Sequence, residues 1–187
     1  MRFKDGREVA GRAIVIIKRP DKFRFEVLGP FNQVVAVIVY NGTNLSLLAL
    51  HENRIYKDYL LPVEAYTIPQ YLTGLPASIA MNREAAVGSQ EANHFQQALP
   101  HGQCVYTNLQ DEYILINQEG NIKEITSSGI KNSVHPIKVF MDSYKKVDGF
   151  NLPFEISISN KSADIFIKYE HVELNQHVSE DLFDMPG

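Results

Sequence analysis

The 187-residue chain has no tryptophan, one cysteine, and no apolar run longer than seven residues. Each shortage removes a class of answers. Cys104 has no partner for an internal disulfide, so packing rather than cross-linking must hold the fold. Its strand-like flanks, Gln103 and Val105 to Thr107, favour a packed thiol over a nucleophile. The longest apolar stretch, Val34 to Tyr40, falls far short of the roughly 20 residues that a membrane-spanning helix needs. Positive charge is not in excess either. Eighteen basic residues against 22 acidic ones leave a net charge of −4, without the basic footprint that displaces counterions from nucleic acid.

Catalytic and cofactor signatures are missing as well. No Gly-rich phosphate loop and no G-x-S-x-G elbow occurs. Among the six histidines, His94 and His101 are seven apart and His171 and His177 six apart, so none shows the i, i+4 spacing of a zinc helix. Asp111-Glu112 sits at an expected turn, where adjacent carboxylates do not face each other as an acid/base pair. The expectation is a binding protein without catalytic residues, metal or cofactor.

What is present is a globular composition, 44% apolar and 21% charged, read as a single domain over 1–187. Short β-branched and aromatic runs predict strands at 13–18, 23–28, 34–40, 45–50 and 54–59. Asn41-Gly42, between the third and fourth, is a strong hairpin signal. A segment over about 61–103 breaks the rhythm with alanines, polar helix formers and four prolines. Its pattern predicts short helices at 68–73 ended by Gly74, at 77–86 ended by Gly88, and at 91–99 before Pro100. Strands resume at 104–109, 113–117, 122–126, 137–144, 153–159 and 165–172.

Ten or eleven strands with one helical insertion predict a mainly β, α+β fold, built on a large curled antiparallel sheet. Alternation puts Phe23, Phe25 and Val27 on one face, and Phe154, Ile156 and Ile158 on one face further along. The helical block is the material available to cover a concave apolar face, enclosing either a hydrophobic pocket or a plain core. Phe31, in Gly29-Pro30-Phe31-Asn32, is expected to be exposed at a loop tip, where it either touches a membrane or partner or anchors the loop.

Several of these stretches resemble the bacterial lipoprotein-localisation proteins LolA and LolB. Lys18-Arg19-Pro20 followed by Phe23 and Phe25 resembles the opening strands of the periplasmic carrier, and Val39 to Leu48, with its Asn-Gly turn and aliphatic strand, looks like the family's Asp-Gly-x-x-Leu hairpin. Gly29 to Asn32 falls where the outer-membrane receptor has a protruding loop, and Tyr71-Leu72-Thr73-Gly74-Leu75-Pro76 resembles its helix-ending motif. Asp148-Gly149, Leu152-Pro153, Val172 to Asn175 and Leu182 to Gly187 resemble the end of the family's barrel. The chain departs from both relatives in lacking tryptophan, and from the receptor in having no N-terminal lipid-bearing cysteine.

The resemblance implies an unclosed antiparallel barrel with helices as a lid over an apolar cavity that takes lipoprotein acyl chains or another lipid. Phe23, Phe25, Val27, Phe154, Ile156 and Ile158 would line it, although each suits an ordinary core equally; Phe31 would be the membrane or partner loop and Arg19 a lid contact. The expected setting is the periplasm-facing cell envelope, as a monomer that receives cargo from a LolA-like carrier. The expected anchor is the outer membrane, with signal peptide and lipobox upstream of Met1. The alternative is an envelope sensor or scaffold that uses the same cleft for a protein segment.

Overall fold

The structure, a computed structural model, describes residues 2–19, 21–50, 52, 54–57, 68–74, 96–98, 104–107, 112–127, 136–161 and 163–185. Its strands are β1 (Arg2–Phe3), β2 (Arg12–Lys18), β3 (Lys22–Leu28), β4 (Val34–Asn41), β5 (Leu45–Ala49), β6 (Arg54–Lys57), β7 (Gln96–Ala98) and β8 (Cys104–Thr107). Then come β9 (Glu112–Ile116), β10 (Ile122–Ser127), β11 (Ile137–Asp142), β12 (Lys145–Val147), β13 (Phe150–Leu152), β14 (Glu155–Ser159) and β15 (Ala163–Lys168). Helix is confined, among the described residues, to α1 (Ile68–Thr73) and a 3-10 turn at Glu180–Phe183. The fold is mainly β with antiparallel sheets, and no described sheet closes on itself.

Two expectations need correction. Fifteen described strands replace the expected ten or eleven, and they belong to an eight-stranded sheet, a five-stranded sheet and a two-stranded hairpin rather than to one sheet. The four extra strands, β1, β7, β12 and β13, have only two or three residues each, too few for a periodicity to register. The helix expected at 91–99 is overturned at Gln96–Ala98, which pairs antiparallel with β8 (Gln96 with Tyr106, Ala98 with Cys104). Pairing with a neighbouring strand overrides helix propensity there. The expected helix at 77–86 lies outside the described residues.

The chain forms two compact units, one comprising Met1–Glu8 and Tyr71–Leu174, the other Val9–Gln70 and Asn175–Gly187. The first holds the eight-stranded sheet, in the order β1-β15-β14-β11-β10-β9-β8-β7, and the β12–β13 hairpin. Ile114, Ile125, Val139, Met141 and Ile156 share one face of that sheet and are buried almost completely. Asp148 and Gly149 turn β12 into β13 with φ of 48° and 88°, the paired positive angles of a tight hairpin. At the end of α1, the Tyr169 hydroxyl donates to the Leu72 carbonyl at 3.0 Å, occupying an acceptor that a helix end leaves open. Gly74 follows at φ 63°, and a Cβ there would sit 3.1 Å from Met141 Sδ and from Pro153. Burial pushes the Tyr169 hydroxyl above its ordinary titration range.

The second unit is a meander in the order β2-β3-β4-β5-β6. Its Asn41 side chain accepts from the Thr43 and Asn44 amides, at 3.1 and 2.9 Å, and Gly42 takes φ 93°. This closes the β4–β5 hairpin at the expected Asn-Gly. On one face of the meander Val37, Val39 and Leu48 pack against Phe183, only 1% exposed, with Ile16, Val34, Val178 and Met185 around them. The C-terminal segment therefore serves as the cover of that face. Polar contacts hold it there: Arg24 Nη1 donates to the Leu182 carbonyl at 3.0 Å, and the Glu180 carboxylate takes both Lys18 and Lys22, the latter at 2.7 Å.

Two outcomes follow for this segment. Truncating Phe183→Ala removes a buried ring and should cost about 3–5 kcal/mol in denaturant unfolding, with earlier proteolytic cleavage within 175–187. Lys18 and then Lys22 hold the Glu180 carboxyl down to about 2 from its ordinary 4.5, so its contribution is complete above pH 4.5 and is lost as pH falls towards 2. Amide protection across 175–187, taken relative to the intrinsic exchange rate at each pH, should fall over that window in the wild type. In Glu180→Gln the Glu180-dependent part of this fall should vanish.

Candidate functional site

The face of β2–β6 opposite Phe183 is the candidate site. Residues two apart along a strand share a face, and the cross-strand registers assemble them into rows. The first row is Ile17, Phe23, Tyr40 and Leu45; the second is Val15, Phe25, Ile38, Leu47 and Tyr56. The third is Ala13, Val27, Ala36 and Ala49, ending on Arg54. No charged side chain interrupts the rows before Arg54. Strand geometry puts successive rows roughly 7 Å apart and makes five strands about 19 Å wide.

Side-chain size falls along the face. Phe23, Tyr40 and Leu45 are buried and close-packed, with the Phe23 ring 5.7 Å from Tyr40 and 5.7 Å from Phe25, the latter edge-on. Ile68, the first residue of α1, packs against this cluster. The second row is half-buried apart from Tyr56, which is exposed. In the third row alanines dominate, Ala13 and the terminal Arg54 are exposed and the rest are half-buried. The apolar surface thus steps down from a bulky, closed end to a shallow, more open one.

The shallow end runs into the β3–β4 loop. Gly29 N donates to Gln33 O at 2.8 Å, Asn32 N to Gly29 O at 3.0 Å, and Phe31 N to the Gln33 side chain at 3.0 Å. Asn32 adopts φ 59°, a left-handed conformation that asparagine tolerates. Arg12 Nη1 donates to its side-chain oxygen at 3.2 Å. Gly29 is required by proximity, since a Cβ there would lie 2.9 Å from Val35 Cγ1. This braced loop presents Phe31 at 89% exposure, as expected for a loop-tip aromatic.

The eight residues singled out from the sequence fall into distinct places. Phe23, Phe25 and Val27 supply one side chain to each of the three rows. Phe154, Ile156 and Ile158 belong to the other unit: Ile156 is buried beside Met141 and Ile167, and Ile158 pairs with Val139 and Ile165. The Phe154 ring is edge-on to Tyr169 at 6.4 Å and lies 4.2 Å from Lys145 Nζ. Arg19 is exposed in the β2–β3 turn, at the end of β3 opposite Phe31. Cys104 opens β8.

Sequence reasoning passed over the alanine row and Arg54. Ala13 and Ala49 lie in strands that were foreseen, and the Asn41-Gly42 turn fixes the register that puts Ala36 opposite Ala49. That turn was the available signal. Among the described residues no cluster of three or more His, Cys, Asp or Glu side chains could hold a metal ion, and no helix is long and apolar enough to cross a membrane. Neither a family model nor a curated protein matches the chain.

Proposed function

We propose that this chain binds lipoprotein acyl chains along the apolar face of β2–β6 and passes them to the outer membrane of a bacterial envelope. The observation that carries this reading is the graded three-row face, apolar as far as Arg54 and stepping down in bulk towards a displayed aromatic. Ile68 at the start of α1 is the described part of a helical cover over a half-barrel, and Arg19 is the proposed contact for that lid. Delivery from a LolA-like periplasmic carrier to a monomeric receptor completes the reading.

The energetics favour a loosely covered face over a tight core. Burying an acyl chain of ~14 methylenes at ~0.8 kcal/mol each gives on the order of 11 kcal/mol. A carrier that gained much more than the bilayer offers would never release its cargo. Half-buried Phe25, Val27 and Ile38 provide apolar contact without the close fit that Ile125, Val139, Met141 and Ile156 show in the other unit. Cargo is therefore assigned to the Phe23, Phe25 and Val27 side. Buried Phe154 and Ile156 and half-buried Ile158 are assigned to the packing of their own unit.

Filling the shallow row tests this assignment. Ala36→Phe and Ala49→Phe should each weaken binding of a fluorescent fatty acid at least about tenfold, the loss of one to two kcal/mol of apolar contact, while the melting temperature holds within a few degrees. Unchanged affinity in both variants would contradict the assignment. Native mass spectrometry after mild extraction should show a co-purifying lipid; a face occupied only by the chain's own side chains would favour the sensor or scaffold reading. Phe31→Glu should keep fatty-acid affinity and lose transfer of a lipoprotein to acceptor vesicles.

A further inference from the structure

The meander's two ends differ in chemistry. One end gathers the start of β2, the β3–β4 loop and the β5–β6 turn, because adjacent antiparallel strands alternate direction. Exposed large apolar side chains collect there: Phe31 at 89%, Leu50 at 43%, with Val9, Ile14 and Ile55 close behind along the chain. The Leu50 amide is tied to the Val35 carbonyl at 3.0 Å, which fixes the second tip beside the first. At the opposite end the described loop residues are Arg19, Asp21 and Gly42 to Asn44, and no large apolar side chain is exposed among them.

Cations accompany the apolar tips. Arg12 is exposed at the start of β2, with its guanidinium on the Asn32 side chain of the Phe31 loop. Arg54 is exposed at the start of β6, where it ends the shallow alanine row. Among the described residues of this unit, the carboxylates near this end are Glu52, which accepts from the Tyr56 hydroxyl at 2.7 Å, and Glu26, opposite Ile14 and paired with Arg24 at 2.7 Å. Since the whole chain carries a net charge of −4, attraction to an anionic surface has to be local, and this end supplies it. Apolar tips that enter an interface beside arginines that meet phosphates are the chemistry of an anionic lipid surface.

We propose that this end of the five-stranded sheet is a membrane-docking edge, inserting Phe31 and Leu50 between lipid headgroups and setting Arg12 and Arg54 against their phosphates. The edge deepens the delivery reading and rests on it for the destination of the cargo. It adds a second loop and a lipid preference to the single Phe31 tip. It also sets the shallow end of the apolar rows next to the bilayer, so that an acyl chain leaves where the side chains are smallest.

The test is co-flotation of the whole chain with phosphatidylcholine vesicles, with and without phosphatidylglycerol, in parallel with fatty-acid binding. Binding should favour the phosphatidylglycerol vesicles. Phe31→Glu and Leu50→Glu should each weaken it at least about tenfold on both vesicle types. Arg12→Gln and Arg54→Gln should weaken it about fivefold each on anionic vesicles, and less than twofold on neutral ones. Asn44→Glu, at the opposite end, should leave flotation unchanged, and unaltered melting of every variant excludes misfolding as the cause. Equal flotation with both vesicle types, no flotation, or insensitivity to Leu50→Glu and Arg54→Gln overturns the edge. Loss of fatty-acid binding with normal flotation instead removes the carrier reading and leaves the edge standing.

Discussion

The five-stranded meander has one face that is apolar as far as Arg54 and, on the other, a Val37, Val39 and Leu48 cluster bordered by Lys22, Arg24 and Glu26 of β3; apolar surface of this extent is stable only when it is kept from water. One face is covered by the chain's own end. Phe183 fills the space over Val37, Val39 and Leu48, while Glu180 and the Leu182 carbonyl engage Lys18, Lys22 and Arg24 at the margin. The anchor is a buried ring and the charges around it fix its register. Exposed ion pairs of this type add little stability by themselves.

The other face receives no such plug from the C-terminal segment, and its character follows from that. Bulk is concentrated where Ile68 packs on Phe23, Tyr40 and Leu45, and it thins to alanine at the Phe31 end. The eight-stranded sheet solves the same problem differently, with Ile114, Ile125, Val139, Met141 and Ile156 interlocked on one face. Close packing and graded packing therefore coexist in one chain of 187 residues. A protein that must take up and release an apolar ligand needs the second kind.

Much of this architecture was legible in the residues. β-Branched and aromatic runs between turn signals located ten or eleven strands, alternation assigned faces on two of them, Asn41-Gly42 marked its hairpin, Gly74 marked the end of α1, and Gly-Pro ahead of Phe31 signalled an exposed tip. What alternation cannot say is which strand pairs with which, so the division into separate sheets, including the pairing of β1 with β15 across most of the chain, was not foreseen. The C-terminal cover was opaque for a related reason. Val178, Phe183 and Met185 follow neither a period of 2 nor one of 3.6, because an extended segment with a single 3-10 turn places its apolar side chains by tertiary fit. Helix formers at 96–98 misled, since propensity yields to strand pairing.

An apolar ligand bound on the rows of β2–β6 is read directly by photo-crosslinking with a diazirine-bearing fatty acid, followed by peptide mapping. Adducts are expected on β3 and β4, around Phe25, Val27 and Ala36, and unlabelled fatty acid should displace them. Displaceable adducts confined to β14, around Ile156 and Ile158, or no displaceable adducts at all, would contradict binding on these rows.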